Sequence, residues 1–383
     1  FDIDPGTMQQ VYGLGQQFKT LASADGDWVS HGTREAQPSG QAQSHGNGFM
    51  PFGQAGMVGN VQFPIMYALG DNNLQYGLFI DNAYKREWDF GSYNWQVRMW
   101  GDQLRYYIMA GDDLPDLRQD YMELTGTPPV PSKKSFGLWV SEFGYKNWTE
   151  VDTLKDGLRS DNFPLDGFVL DLFWFGGITA NSPDSAMGRL DWDTSASDGN
   201  DYYFPDPDTK IASLAGDHVG LVAIEESYIN LNTDTYTAMQ NAGDLLAYAK
   251  TDGQCDPTSY APIMLSDWFG EAAMVDWTDS QASKWIHDNR RYPNLTQKGI
   301  YTHWTDLGEP EKYDGDACFD GVETASTGLK NTHGDVHNLY ALMWVKSIYD
   351  GYYDKRAEEN HRSFVLSRSG SSGVQRFGAG MWS

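Results

Sequence analysis

The fold class of this chain is most clearly indicated by the segment Gly167–Phe175, GFVLDLFWF. It is almost wholly apolar, and its one charged residue is Asp171. Four other segments share this pattern of an apolar run with a polar or charged end: Phe136–Ser141, Val219–Glu225, Ile300–Leu307 and Ser363–Ser369. Runs of this length are typical of buried strands in a parallel sheet, whereas a membrane span needs about 18 apolar residues. No segment reaches that length, so we expect no membrane span.

Polar, partly helical stretches separate these strands, for example Thr149–Arg159 and Asn338–Ile348. Apolar strands that alternate with helices favour an α/β fold with a parallel sheet covered on both faces. The strands end in residues that can do chemistry, such as Glu142, Asp171 and Arg368. Because (β/α)₈ barrels carry their active sites at the carboxyl ends of the strands, this pattern predicts a (β/α)₈ TIM barrel.

The predicted barrel is incomplete in this chain. Five strands and the start of a sixth, at Gly378–Ser383, are too few to close eight, so we expect the barrel to continue beyond residue 383. The proline-rich segment 128–131 marks the boundary between residues 1–127 and the barrel residues 128–383. Before it, Asp113–Leu124 predicts an amphipathic helix. Short β-type runs with turn clusters between them, such as residues 71–73, predict part of an N-terminal β-sandwich: Gln62–Ala68, Gln75–Ile80, Asn94–Met99 and Leu104–Met109.

The chain is strongly acidic, with 27 Lys and Arg against 53 Asp and Glu, a formal net charge of −26. This charge repels polyanions, so we expect no nucleic-acid partner. Together with a start at Phe1 rather than Met, it favours a processed protein of the extracellular space or periplasm. The two cysteines, Cys255 and Cys318, form one bridge or remain two thiols, and the sequence leaves both open.

Motifs for metals and nucleotides are missing or broken. The acidic segment Asp191–Ala196 begins like a calcium loop, but Ala196 stands where the sharp turn requires Gly. The eight His show no zinc-type spacing, and no Walker loop is present. We therefore expect no cofactor and no metal.

Carboxylates among tryptophans remain as candidate chemistry. Asp306 follows a β-type run, and Trp304, two residues earlier, shares its face of the strand. A carboxylate at this rim can attack an anomeric carbon, and an indole beside it packs on the apolar face of a sugar. From the residues alone, a structural capping role for Asp306 is equally open.

Several ordered motifs resemble glycoside hydrolase family 31, whose members act on α-glycosides. The motifs that carry the resemblance are Tyr12–Phe18 (YGLGQQF), Pro164–Asp171 (PLDGFVLD), Trp304–Glu309 (WTDLGE), Arg362–Gly370 (RSFVLSRSG) and Gln375–Ser383 (QRFGAGMWS). The resemblance implies that Asp306 is the catalytic nucleophile and Glu309 a supporting carboxylate. It implies that Asp171 and Arg368 bind the sugar, and that Trp268, Trp304 and Trp382 form walls of the pocket. Taken singly, each of these residues also has a structural interpretation.

The resemblance also implies what lies outside this chain. In the family, Gly-Asp follows the motif that ends here at Ser383, and that Asp is the general acid/base. We therefore expect the remainder of the same polypeptide to supply this Asp and the missing strands. The implied function is a retaining, exo-acting α-glucosidase or 4-α-glucosyltransferase that acts on α-1,4-linked gluco-oligosaccharides. Thr302-His303 precede Trp304, and no Lys stands next to Thr305, which disfavours an α-xylosidase. The alternatives are α-xylosidase or α-galactosidase specificity, or a carbohydrate-binding or catalytically dead protein on this scaffold.

Overall fold

A computed structural model describes residues 2–4, 8–15, 37–39, 61, 63–70, 74–84, 86–89, 94–99, 103–178, 185–195, 202–243, 245–310, 312, 314, 316–320, 333–359 and 361–381. The turn cluster at 71–73, residues 16–18 of the N-terminal motif and Trp382 lie outside these ranges.

The N-terminal region contains two antiparallel sheets. Their described strands are β1 (Asp2–Ile3), β2 (Met8–Gly13), β3 (Gln37–Ser39), β4 (Ile65–Gly70), β5 (Gln75–Ile80), β6 (Arg86–Asp89), β7 (Trp95–Met99) and β8 (Tyr106–Ala110). One sheet has the order β1-β7-β6-β3, and the other has the order β2-β4-β5-β8. Met66 and Leu78 of the second sheet share a buried cluster with Trp88 and Val97 of the first. The β-type runs near residues 62–109 therefore do form strands.

A single helix, α1 (Leu114–Thr125), follows these sheets, as predicted. The Asp113 carboxylate accepts a hydrogen bond from the backbone N–H of Asp116 at 2.9 Å and so caps the first turn. Gly126 ends the helix with φ +95°. The Gln375 amide donates to Gly126 O at 2.9 Å, which ties the helix end to the barrel region.

Six parallel strands form the sheet of the barrel region, where the sequence predicts five and the start of a sixth. The described strands after residue 130 are β9 (Trp139–Ser141), β10 (Gly167–Leu170), β11 (Gly220–Glu225), β12 (Tyr228–Asn230), β13 (Met264–Asp267), β14 (Gly270–Met274), β15 (Thr302–Thr305), β16 (Phe364–Ser367) and β17 (Ala379–Met381). The barrel sheet has the order β17-β16-β15-β11-β10-β9. Each strand pairs in parallel with the barrel strand before it in the chain, as in a (β/α)₈ barrel.

Helices connect and cover these strands. They are α2 (Trp148–Ser160), α3 (Pro207–Gly216), α4 (Asp234–Ala242), α5 (Ser280–Ile286), α6 (Tyr292–Asn294) and α7 (His333–Glu359). The turn His287–Arg291, which joins α5 to α6, is a π-helix. In the described part of the chain, no helix has the length and apolar character needed to cross a bilayer.

A chain segment between β11 and β15, called the excursion below and containing β12, β13 and β14, was not predicted. Here β12, β14 and β13 form a separate three-stranded antiparallel sheet. A disulfide between Cys255 and Cys318 closes the sequence interval of 63 residues that contains part of this excursion and β15. The structure thus resolves the choice between a bridge and two thiols in favour of the bridge.

Candidate functional site

Asp306 lies directly after β15, at the carboxyl end of the parallel sheet. The next residue, Leu307, is buried and has φ +57°, a left-handed conformation that costs a non-glycine residue about 1 kcal/mol. This sharp turn carries the chain away from the strand and back to Glu309, which is buried beside the site. The predicted strand-end position of the candidate nucleophile is therefore correct.

Three predicted site residues are in direct contact. The Arg368 guanidinium donates to both carboxylate oxygens of Glu309, from Nε to Oε1 at 2.5 Å and from Nη2 to Oε2 at 2.7 Å. The same Nε lies 3.5 Å from Asp306 Oδ1. Arg368 and Glu309 are fully enclosed, whereas 18% of the Asp306 side chain is exposed. Glu309 thus takes two of the five N–H donors of Arg368, including Nε, and Asp306 is left with a longer-range attraction.

Asp306 is held in an environment that disfavours its charge. Burial raises its pKa to about 7; the Arg368 cation and a hydrogen bond from the Leu307 backbone N–H oppose this rise, and the Glu309 and Asp171 carboxylates add to it. Within the described part of the chain, the buried Oδ1 atom accepts no hydrogen bond. A carboxylate oxygen that accepts no hydrogen bond keeps its lone pairs available. A positive charge placed next to such a carboxylate would be stabilised by it.

Asp171 lies at the end of β10, but the strand is shorter than the sequence suggested. It ends at Leu170, and Leu172–Phe175 form a 3₁₀ turn whose first N–H donates to Asp171 Oδ1 at 2.7 Å. The prediction of one strand over Gly167–Phe175 is therefore wrong, because Asp171 caps a turn within it. Burial also raises the pKa of Asp171, to about 6, although the Leu172 N–H opposes the rise.

The tryptophans occupy different positions. Trp304 lies on β15, is partly buried and packs against the main core. Trp268 lies at the tip of the β13–β14 hairpin and packs edge-to-face on Phe269, with 5.5 Å between ring centroids. Its neighbour Asp267 is 3.4 Å from the Lys312 ammonium, in the loop that follows Asp306. The excursion that carries Trp268 is thus tied to the loop after the candidate nucleophile.

A second buried charge cluster was missed by the sequence reasoning. Arg291 donates to Glu225 from Nε at 2.9 and 3.0 Å and from Nη2 at 2.9 Å. His303 Nδ1 lies 2.7 Å from Glu225 Oε1, and its Nε2 lies 2.9 Å from the Tyr352 hydroxyl. Glu225 appeared in the sequence only as a strand-end acid, and His303 only as part of the motif around Asp306. The feature that could have revealed both residues is a polar side chain at a strand position that faces the covering helices.

No candidate for a metal centre emerges from this geometry. Among the residues that the structure describes, no group of three or more His, Cys, Asp or Glu side chains is arranged to hold an ion. Asp191 and Asp193, from the segment that begins like a calcium loop, instead accept hydrogen bonds from nearby backbone N–H groups.

Fold and site together define a parallel-barrel protein with acidic residues gathered at the carboxyl ends of its strands. Residues 128–383 match the model of the glycosyl hydrolases family 31 TIM-barrel domain. The chain belongs to glycoside hydrolase family 31.

Similar proteins include both glucosidases and xylosidases. The chain is 26% identical over 311 residues to alpha-glucosidase 2 of Bacillus thermoamyloliquefaciens, which covers 80% of this chain and 36% of that protein. It is 24% identical over 372 residues to the alpha-xylosidase XylQ of Lactiplantibacillus pentosus. This alignment covers 96% of this chain and 42% of XylQ. The chain therefore spans less than half the length of these relatives.

Solved structures show the same fold. A GH31 alpha-xylosidase from a soil metagenome, complexed with xylose, superposes with a TM-score of 0.74 at 21% identity, over 100% of this chain and 47% of that one. The Flavobacterium johnsoniae GH31 dextranase FjDex31A, complexed with glucose, gives a TM-score of 0.74 at 20% identity, over 98% and 41%.

Proposed function

We propose that this chain carries the nucleophile half of a retaining, exo-acting α-glycoside enzyme, and that Asp306 forms a covalent glycosyl-enzyme. The observation that carries the proposal is the buried, weakly compensated Asp306 carboxylate at the end of β15, whose Oδ1 accepts no hydrogen bond from the described residues. A purely structural carboxylate at this depth would normally be paired, as Glu309 is.

In the proposed mechanism, Asp306 attacks the anomeric carbon of the bound sugar. Positive charge develops there in an oxocarbenium-like transition state, and the ionised carboxylate stabilises it. Asp171 accepts hydrogen bonds from sugar hydroxyls at the non-reducing end, and Arg368 donates to the same subsite. Trp268, Trp304 and Trp382 are proposed as walls of the pocket. No metal or other cofactor takes part.

A second carboxyl group must protonate the leaving group, since a retaining enzyme uses two, about 5–5.5 Å apart. We propose that it comes from the remainder of the same polypeptide, together with the strands that complete the barrel. Two features of the sheet support this. Among the described strands, β9 and β17 each pair with one neighbour, and large apolar side chains near β9 are exposed: Phe136 by 78% and Phe143 by 70%. A continuing barrel would cover such an edge.

The preferred substrate is an α-1,4-linked gluco-oligosaccharide, cleaved by an α-glucosidase or transferred by a 4-α-glucosyltransferase. Water or a sugar hydroxyl attacks the same intermediate in the two cases. His303, the first residue before Trp304, bonds to Glu225 and Tyr352 rather than facing the sugar. The strand therefore presents no cation beside Trp304, which supports a glucosyl rather than a xylosyl unit. The α-xylosidases among the relatives make α-xyloside cleavage the second candidate.

Two further assignments belong to this proposal. The shared cluster beneath the two N-terminal sheets supports a β-sandwich in residues 1–127, ahead of the barrel in residues 128–383. The Cys255–Cys318 disulfide supports an extracellular or periplasmic location, because disulfides persist in oxidising compartments.

A mechanism-based label tests the proposal in a polypeptide that carries the complete barrel. A fluorinated α-glucosyl fluoride should inactivate the enzyme, and peptide mass spectrometry should place the sugar on Asp306. NMR of the first product should show the α-anomer, and a chelator should leave turnover unchanged. Labelling of Asp171 or Glu309, or early release of the β-anomer, would overturn the assignment. Sugar binding without any turnover or labelling would instead favour a carbohydrate-binding protein on this scaffold.

A further inference from the structure

The buried cluster behind the site joins four elements of the barrel. Glu225 ends β11, His303 lies on β15, Tyr352 lies on α7, and Arg291 ends the π-helical turn. All four side chains are buried. Tyr352 extends the cluster to the backbone, because its hydroxyl lies 3.2 Å from Ile300 O, just before β15 begins. The strand that ends in Asp306 is thus bonded to the neighbouring strand and to the covering helix.

Burial and the neighbouring charges act on the pKa values of Glu225 and His303. Although burial alone would raise the pKa of Glu225, Arg291 and His303 lower it to about 2. Burial lowers the pKa of His303, although Glu225 opposes this. Since an ionised carboxylate only accepts hydrogen bonds, Nδ1 of the neutral His303 ring donates to Glu225. The single O–H of Tyr352 is then shared between two acceptors, Nε2 of His303 at 2.9 Å and Ile300 O at 3.2 Å. One cation and one anion then cancel inside the barrel wall.

The two faces of β15 carry different sets of side chains. Side chains alternate along a strand, so Trp304 and Asp306 share one face, and His303 and Thr305 share the other. Both residues of the second face are fixed by buried hydrogen bonds: His303 by those described above, and Thr305 by donation to Ser367 Oγ on β16 at 2.8 Å. Ser367 in turn donates to Ser369 O at 2.7 Å. These bonds restrict rotation of the strand about its own axis.

We propose that His303 is a positioning residue, and that its bonds to Glu225 and Tyr352 fix the orientation in which β15 presents Asp306. This inference rests on the proposed role of Asp306 as nucleophile. His303 does not touch the sugar. Misplacement of a reacting group by about 1 Å can cost about a hundredfold in rate, so loosening this strand should slow chemistry more than it weakens binding.

Two tyrosines of α7 provide a matched pair of variants. Tyr352→Phe removes the hydroxyl that bonds to His303, whereas Tyr340→Phe removes a buried hydroxyl that bonds to Val275 O at 3.1 Å rather than to His303. In the complete barrel, Tyr352→Phe should lower kcat and the rate of labelling by the fluorinated glucosyl fluoride about tenfold to a hundredfold, with KM nearly unchanged. Tyr340→Phe should lower the melting temperature by a similar amount and leave kcat within about twofold.

Substitutions of His303 separate its two bonds. The amide of Asn superposes on the Nδ1 side of the ring and retains a donor for Glu225, whereas the longer Gln reaches toward Tyr352. His303→Asn should therefore keep more of the wild-type kcat than His303→Leu, which lacks both bonds. Rates are normalised to the folded fraction measured by circular dichroism, so a partly unfolded variant still gives a usable ratio.

The outcomes distinguish this inference from the proposed function. If the wild-type enzyme is not labelled at Asp306, the proposed function fails first. If the wild type is labelled, but Tyr352→Phe and His303→Leu react at the wild-type rate per folded molecule, the cluster is purely structural and the inference is wrong. Equal loss of kcat in Tyr340→Phe and Tyr352→Phe would also overturn it.

Discussion

Replacing Asp306 with Asn should make the protein more stable while abolishing turnover. In the folded protein, burial, opposed by Arg368 and reinforced by Glu309 and Asp171, raises the pKa of this carboxyl from 3.8 to about 7. At about 1.4 kcal/mol for each tenfold change in proton affinity, ionisation at pH 7 costs the folded state about 4 kcal/mol. This cost is already net of the attraction to Arg368, and the neutral Asn side chain does not incur it, so we expect a gain of up to about 4 kcal/mol.

The pH dependence follows from the direction of this pKa change. A carboxyl whose pKa is raised on folding destabilises the folded state once the pH exceeds its value in the unfolded chain. The loss grows from about pH 4 and levels off above pH 7. The stability difference between Asp306→Asn and the wild type should therefore be largest at pH 7.5 and close to zero near pH 4.

Chemical denaturation in a polypeptide with the complete barrel measures this difference. The free energy of unfolding is compared at both pH values for the wild type, for Asp306→Asn, and for Asp161→Asn, an exposed aspartate at the end of α2. The exposed control should change by less than about 0.5 kcal/mol at either pH. If Asp306→Asn is no more stable than the wild type at pH 7.5, or if its advantage persists at pH 4, ionisation of the Asp306 carboxyl does not destabilise the folded state.

The other predictions concern neighbours of Asp306 and the disulfide. Arg368→Met should shift the acid limb of the kcat/KM profile to higher pH, because loss of the cation raises the pKa of Asp306. The same variant should lower the free energy of unfolding by about 3–5 kcal/mol, because Glu309 is left buried without its cation. Glu309→Gln should move the acid limb downward, since this carboxylate raises the pKa of Asp306; pH–rate profiles that shift in the same direction for both variants would contradict the assignment. Replacing Cys255 and Cys318 by Ala should lower stability by about 4 kcal/mol, as expected for a closed loop of this length, and a change below about 1 kcal/mol in calorimetry would refute that estimate.

Much of the barrel was predictable because its signal is local. A strand buried on both faces must be apolar along its length, so five strands and the start of a sixth were visible as short apolar runs. The first strand begins at Trp139 rather than Phe136, because Lys133–Phe136 form a 3₁₀ turn. The position of Asp306 follows from the same rule, since a charged residue can only stand where the buried strand ends. Chain order also gave the neighbours, because consecutive parallel strands with helical crossovers usually lie side by side.

The parts that were missed depend on long-range contacts. Asp171 ends its strand by capping a turn, a choice that the apolar residues Leu172–Phe175 do not reveal. In the separate antiparallel sheet, β12 pairs with β14, more than 40 residues later, so this pairing has no local pattern. His303 looked like one more residue of the nucleophile motif, because only packing against Tyr352 and Glu225 shows which face of the strand it occupies.

The two buried arginine–glutamate pairs explain how the barrel tolerates so much charge near one strand. Glu225 with Arg291, on the helix side, and Glu309 with Arg368, on the pocket side, each combine an acid with a cation at hydrogen-bond distance. Such pairs contribute little net stability but fix geometry, since either partner alone would be a costly buried charge. Among the described residues, neither Asp306 nor Asp171 has a cation this close, since Arg368 Nε lies 3.5 Å from Asp306, and burial raises the pKa of both. The negative charge of Asp306 and Asp171 is therefore only partly balanced on the face where the proposed mechanism develops positive charge. In that mechanism, the positive charge of the transition state would complete the balance.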